Sequence, residues 1–468
     1  MQVSPRRPLR WLGILILGSG LIYTVSSLLL YSTDGPWRQV GFPLLGPWRM
    51  PTFADLRWVT ATSDCGIDLN AFYAGKLVGC DAFGRKGVGY PPMALWLFRL
   101  LGIKAAWTGI IGLITAMGFL ASTAFYLLKI NRNTAVSALV AGLLIWGFPI
   151  QLCFERMNID ILIYSLIILN CGLLSLRSAF LRGLGSLALS IATVGMKIYP
   201  VFGYFCLILL AAPLARVRDG IFRINRIDGL IILAGCAVGL ISAAPVLTGG
   251  SSLSTSSLPA AEGGIGSHGL LAFGFINADL VQLYGLQPAR ALVRLNFMLK
   301  ISSLIAGFWL TIALDLGATL RRYIAGLDAQ EPNGRRARFI LNTISSMTGI
   351  WLGCYLFTIS YDYRLIFLIP MIGVLAQCRQ PGGNPWQRRW GLCLVAMGLI
   401  PGLSTMLLSA LPATSPSLRT THEIIVEFMM MPLLASSAAA LLSQLPGLAW
   451  PLRTGRPAPV PIPPDPDR

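Results

Sequence analysis

A chain of 468 residues with 55% hydrophobic and only 12% charged residues is far more apolar than a soluble protein of its size, in which about a quarter of the residues are charged. That composition excludes a soluble globular enzyme and predicts an all-α polytopic membrane protein. The net charge of +18 comes without a basic stripe interleaved with aromatic residues, so it gives no reason to invoke nucleic acid and reads as a topology signal.

Apolar runs of about 20 residues, the length that crosses a hydrocarbon core as helix, recur from end to end. They fall near 11–31, 105–128, 134–152, 158–176, 183–196, 198–213, 228–247, 295–319, 339–359, 363–377, 391–411 and 424–445. The expectation is about twelve transmembrane helices (roughly 10–13) in one integral membrane domain, 1–450. The first run follows Arg6, Arg7 and Arg10, but its apolar core is too long for a signal peptide and no small-residue cleavage site follows. Gly195-Met196-Lys197 and Pro200 separate the short fifth and sixth runs, which suggests a re-entrant hairpin or broken helix there. Asp315 falls inside a span.

Lysine and arginine collect in short loops on the cytoplasmic side. Assigned this way, both termini lie inside an inner (plasma) membrane, the tail 451–468 is a disordered Pro-rich cytoplasmic segment, and 33–92 and 248–290 are large extracytoplasmic loops. A thiol introduced near Gly87 should therefore label from the outer side, and one near Arg335 should not. The reverse pattern would invert the whole assignment.

Ionisable residues gather on the outer side. The stretch 63–92 carries Asp64, Asp68 and Asp81, and Leu69, Phe72, Tyr73 and Leu77 fall at helical spacing after Asp68. They predict a short amphipathic helix that opens on that acid. Tyr90-Pro91-Pro92 stops the chain before the next apolar run. Further outer junctions carry Glu155, Arg156, Asn158 and Asp160, then Lys197 before Tyr199-Pro200, then His268, then Tyr361-Asp362-Tyr363-Arg364, and finally His422 and Glu423. Charges so close to hydrocarbon are expensive and by default pair or mark a site. Plainer readings exist: Tyr361 and Tyr363 as an aromatic belt, Arg364 as a snorkelling anchor, Glu155 and Arg156 as an ion pair, and Asp68 as an acid favoured by a helix dipole. Cys65 and Cys80 flank the expected helix. A helix of about 14 residues would hold its ends roughly 20 Å apart, beyond disulfide reach, so a bond between them requires a shorter helix.

The ordered set Asp-Leu-Asn-Ala-Phe-Tyr-Ala-Gly from Asp68, Gly-Tyr-Pro-Pro at Gly89, Glu-Arg-Met-Asn-Ile-Asp at Glu155, Lys-Ile-Tyr-Pro at Lys197 and Tyr-Asp-Tyr-Arg-Leu at Tyr361 resembles the polyprenyl-phosphate-mannose-dependent mannosyltransferase family of the glycosyltransferase C (GT-C) superfamily. The likeness runs from about Asp68 to Leu365, with Met157 standing where the family pattern leads one to expect glycine. It implies a GT-C-like arrangement and transfer of a single sugar, mannose or a related hexose or pentose. The donor would be a polyprenyl phosphate, the acceptor a lipid or glycan hydroxyl on the extracytoplasmic face, and the configuration would invert. In that mechanism Asp68 is the general base, with Asp64 the second candidate catalytic acid. Tyr73, Tyr90, Glu155, Arg156, Asn158, Asp160, Lys197, His268, Tyr361, Asp362 and Arg364 are candidates for binding substrate. No cofactor is implied, and a divalent ion at Asp64 and Asp68, four residues apart, is not favoured because two carboxylates make a thin site.

Two other classes share the gross pattern. A secondary transporter would also have about twelve spans and a broken helix, but the two halves show no internal repeat and the acids, Asp315 excepted, lie in outer loops rather than at mid-membrane. A lipid-linked polysaccharide polymerase or ligase would differ in donor, an oligosaccharide diphosphate in place of a monosaccharide phosphate.

Overall fold

The computed structural model describes residues 6–33, 53–65, 68, 91–131, 133–211, 226–248, 267–268, 290–328, 334–357, 360–377, 385–410 and 416–442. Among the described residues, apart from a two-residue ladder and two 3-10 turns, the regular structure is α-helix: α1 (Arg6–Thr33), α2 (Ala54–Asp64), α3 (Pro92–Leu100), α4 (Thr108–Lys129), α5 (Thr134–Trp146), α6 (Phe148–Arg156), α7 (Ile159–Leu173) and α8 (Ala179–Met196). There follow α9 (Pro200–Ala211), α10 (Arg226–Thr248), α11 (Arg290–Ala313), α12 (Leu316–Asp328), α13 (Arg335–Phe357), α14 (Ile369–Gln377), α15 (Pro385–Ala410) and α16 (Pro416–Leu442). Parts of the loops 33–92 and 248–290 and all of the tail 451–468 lie outside the described residues.

The chain is a multi-pass membrane protein. Among the described residues, five helices are long and apolar enough to cross a bilayer, or seven when each of two bent pairs counts as one span. This is fewer than the twelve apolar runs of the sequence because several runs fold as helices too short to qualify alone: Ile159–Leu173, Pro200–Leu209, Arg364–Gln377 and Phe428–Leu442. Another run, α13, encloses polar side chains, Thr343, Ser345, Ser346 and Thr348, alongside Trp351 and Met347. Large apolar side chains such as Leu15, Ile114, Phe180, Leu230 and Ile241 are exposed on the bundle's outside, as lipid contact requires.

Both breaks have local causes. Thr134–Trp146 and Phe148–Arg156 meet at 53°. Gly147 leaves the helix at ψ 138, and Pro149, lacking an N–H, sits in the first turn of α6. The Gln151 side chain donates to the Ile145 carbonyl at 2.6 Å and to Thr24 Oγ1 on α1 at 2.9 Å, so a carbonyl opened by the break is satisfied again. The second pair, Met298–Ala313 and Leu316–Ile324, bends by 57°. There Asp315 adopts φ 49 and accepts the Ala318 N–H at 3.3 Å. The acid that the sequence places inside a span is therefore the cap of a helix start. The break expected at Gly195–Lys197 takes another form: α8 runs 18 residues to Met196, long enough to cross by itself, and three residues turn the chain into α9.

Hydrogen bonds gather the ends of α4, α5, α12, α13 and α14. Arg336 donates to the Lys129 carbonyl at 2.6 Å, Tyr323 to the Ile130 carbonyl, and Gln377 to Ser137 Oγ at 2.8 Å. Trp146 donates to the Ile16 carbonyl, and Gly142 lets α5 approach so closely that a Cβ there would lie 2.8 Å from the Leu17 nitrogen; α1 and α5 thus run side by side in the same direction. Both lead away from this arginine-bearing end toward the opposite one, where α2 lies.

Candidate functional site

At that opposite end the chain makes an elbow between α6 and α7. Met157 takes a left-handed conformation, φ 46 and ψ 56. Its N–H bonds to the Phe154 carbonyl at 3.3 Å, and the Asn158 N–H bonds to the Cys153 carbonyl at 3.2 Å. These two bonds form a Schellman closure, a position where glycine is usual because it has no Cβ to strain. The absent glycine of the sequence pattern is thus a real departure, with Met157 buried in its place. Asn158 then caps α7, its Oδ1 accepting the Asp160 N–H at 3.1 Å.

The same Asn158 side chain bridges two ion pairs. Its Nδ2 donates to Asp55 Oδ2 at 2.7 Å, while Arg156 donates to Asp55 Oδ1 at 2.8 Å. Its Oδ1 accepts from Lys197 Nζ at 2.8 Å, and Lys197 also pairs with Asp160. Arg364 Nε approaches the other Asp160 oxygen at 3.9 Å. Tyr199 lies between the two cations, with Arg364 5.0 Å and Lys197 5.6 Å from its ring centroid. Asp55 and Asp160 here face three cations, with the Glu155 carboxyl buried beside Arg156. Asp160 is fully enclosed, whereas the side chains of Lys197, Arg364 and Arg156 keep 11%, 13% and 24% of their surface exposed. The acids act as anchors and the cations are what a ligand can reach. Such an arrangement suits an anion, since preorganised charge-assisted donors at a water-poor site bind phosphate or carboxylate strongly.

Helix α2 brings Asp55 to this cluster. Phe53, in the left-handed region at φ 56, is wholly buried against Tyr31 and Gly112, and its N–H bonds to the Glu155 carbonyl at 2.6 Å. Farther along, Thr60 and Thr108 share a hydrogen bond of 2.7 Å, Arg99 donates to the Ser63 carbonyl at 3.3 Å, and Asp64 accepts the Ala105 N–H at 3.0 Å. The helix is thereby seated on α4 and α3.

Of the residues singled out in the sequence, Arg156, Asn158, Asp160, Lys197 and Arg364 converge. Glu155 is buried beside them, near Tyr23 and Tyr31 of α1, with one carboxylate oxygen lacking a hydrogen-bond partner among the described residues. Asp64 ends α2 and Asp68 lies beyond that helix, so the two do not share a helical face. Asp68 is exposed. Tyr73, Tyr90 and the helix expected after Asp68 lie outside the described residues. The ladder pairs Ser267 with Tyr361 and His268 with Ser360, which brings His268 of the second large loop next to the Tyr361-Asp362 turn leading to Arg364. Cys65 is disulfide-bonded, and Cys80, the partner the sequence offers, lies outside the described residues. Sequence reasoning missed Asp55 and Tyr199. An acid in the first turn of an apolar-polar segment, Ala54–Asp64, was the available sign of the first, and the aromatic beside Lys197 of the second.

The chain matches no family model and no curated protein. Among solved structures it aligns with the crystal structure of ArnT from Cupriavidus metallidurans in the apo state, at 14% identity over 92% of this chain and 77% of that one, with a TM-score of 0.34.

Proposed function

We propose that this protein is an integral membrane glycosyltransferase of GT-C arrangement that moves one sugar, mannose or a related hexose or pentose, from a polyprenyl-phosphate donor to a lipid or glycan hydroxyl on the extracytoplasmic face. The observation that supports the reading is the set of partly open cations, Arg156, Lys197 and Arg364, held by buried acids at one end of a membrane bundle. A donor carried by a membrane lipid delivers its phosphate at that depth. As the acceptor oxygen attacks the anomeric carbon, its proton passes to Asp68 and the bond from sugar to phosphate breaks with its electron pair on the phosphate oxygen. The cations oppose the charge that grows there.

Purified protein incubated with radiolabelled polyprenyl-phosphate sugars and a lipid extract should yield a labelled product; none with any donor would end the proposal. Lys197→Ala and Arg364→Ala should each raise the donor KM about tenfold or more, because a charge-assisted contact contributes roughly 1.5–3 kcal/mol. Unchanged donor saturation in both would return these residues to a structural role. The two broken spans suit a transporter as well, and solute flux in proteoliposomes without sugar transfer would favour that class.

A further inference from the structure

Two enclosed acceptor oxygens stand one helical turn apart on α6. Gln151 and Glu155 are both buried. The Gln151 amide donates to Thr24 Oγ1 at 2.9 Å and to the Ile145 carbonyl at 2.6 Å, so both of its hydrogens are used and Oε1 is left as an acceptor with no partner among the described residues. A flipped amide would set two carbonyl oxygens 2.6 Å apart, so the orientation is fixed. Glu155 Oε2 also has no partner among the described residues. Residues four apart on a helix share a face, with Cβ atoms about 5–6 Å from each other. Both side chains face α1, Gln151 at Thr24 and Glu155 beside Tyr23 and Tyr31. Two acceptors meet only through a hydrogen between them.

An ionised Glu155 would be badly placed. It lies in the last turn of α6, where the helix dipole opposes negative charge, and an enclosed carboxylate is expensive unless paired. Its neighbour Arg156 pairs with Asp55 instead, at 2.8 Å. Near this elbow the other charged or titratable groups on elements packed against α6 are, among the described residues, Tyr23 and Tyr31 of α1, Asp55 and Arg57 of α2, and Arg364 of the 3-10 turn Asp362–Leu368.

We propose that Glu155 is held as the neutral acid, its Oε2–H donated to Gln151 Oε1, and that this one proton leaves the adjoining cluster a unit of positive charge for the donor. The second half rests on the donor reading above. With Glu155 neutral, Asp55 and Asp160 leave one of the three cations uncompensated, matching the single negative charge of a sugar–phosphate–lipid diester. Ionised Glu155, beside Arg156, would cancel that charge. Glu155 is thus a positioning residue that acts on the donor through Arg156 and not by contact.

The test begins with infrared spectra of the full-length protein, without donor, in a detergent that has no ester carbonyl. At neutral pH the parent should show a carboxylic-acid C=O band that is missing from Glu155→Gln, and Gln151→Met should move that band to higher frequency by removing its hydrogen-bond acceptor. Where Gln151→Met fails to fold, Glu155→Leu serves: it should melt below Glu155→Gln, whose amide restores a donor to Gln151. With the sugar donor present, raising the pH until the band fades should raise the donor KM of the parent about fivefold or more, a rise absent from Glu155→Gln. No band at neutral pH, a band unmoved in Gln151→Met, or the same KM rise in Glu155→Gln overturns the proposal. A Glu155 band in a protein that transfers no sugar would refute the transferase reading and leave the bound proton in place.

Discussion

Asp160→Asn is expected to lower the unfolding free energy by about 3–5 kcal/mol, the usual loss when one member of a buried ion pair is removed and its partner is left uncompensated. The loss is large because Asp160 is fully enclosed and is the carboxylate between Lys197 and Arg364. Asparagine keeps the shape and one acceptor, so packing is not the cause. A thermal-shift series in detergent checks it, with Asp68→Asn as the comparison. A variant as stable as the parent would mean that the two cations find their compensation elsewhere and that Asp160 does not anchor them.

Asp68→Asn should do the opposite: turnover falls by about 100-fold or more, the usual consequence of removing a general base, while the melting temperature holds because the residue is exposed and outside the buried cluster. The structure supplies a competitor in Asp55. That acid accepts hydrogen bonds from Arg156 and Asn158, one on each of its oxygens, so it is already engaged in holding the cluster together. Asp55→Asn should therefore show its effect first as lost stability and a raised donor KM. Near-normal turnover in Asp68→Asn together with a collapse of kcat in a folded Asp55→Asn protein would move the base to Asp55.

What could be read in the sequence divides along physical lines. The membrane character rests on composition, and the convergence of Glu-Arg-Met-Asn-Ile-Asp with Lys197 and Arg364 rests on the cost of leaving charge unpaired near hydrocarbon, which forces such residues to meet. Asp55 escaped because it stands in the first turn of a short helix whose seating depends on distant contacts, Phe53 against Gly112 and Tyr31, that no local pattern reveals. The bend at Gly147 was written in Gly-Phe-Pro, yet the run 134–152 stays apolar through it, and hydropathy alone does not register a change of direction. Asp315 was visible as an acid in a span, but its use as a cap needed the backbone of the second break.

Asn158 gives the site a property that neither ion pair has alone. One side-chain oxygen of this residue receives both the Asp160 amide, which starts α7, and the ammonium of Lys197. A bound phosphate that draws Lys197 toward itself frees that oxygen to hold the amide alone, so occupancy at the membrane surface is coupled to fraying of a helix that descends into the bilayer. On the donor reading proposed above, the exchange rate of the Asp160 amide hydrogen with solvent then becomes a meter of ligand occupancy, slowing as the donor saturates.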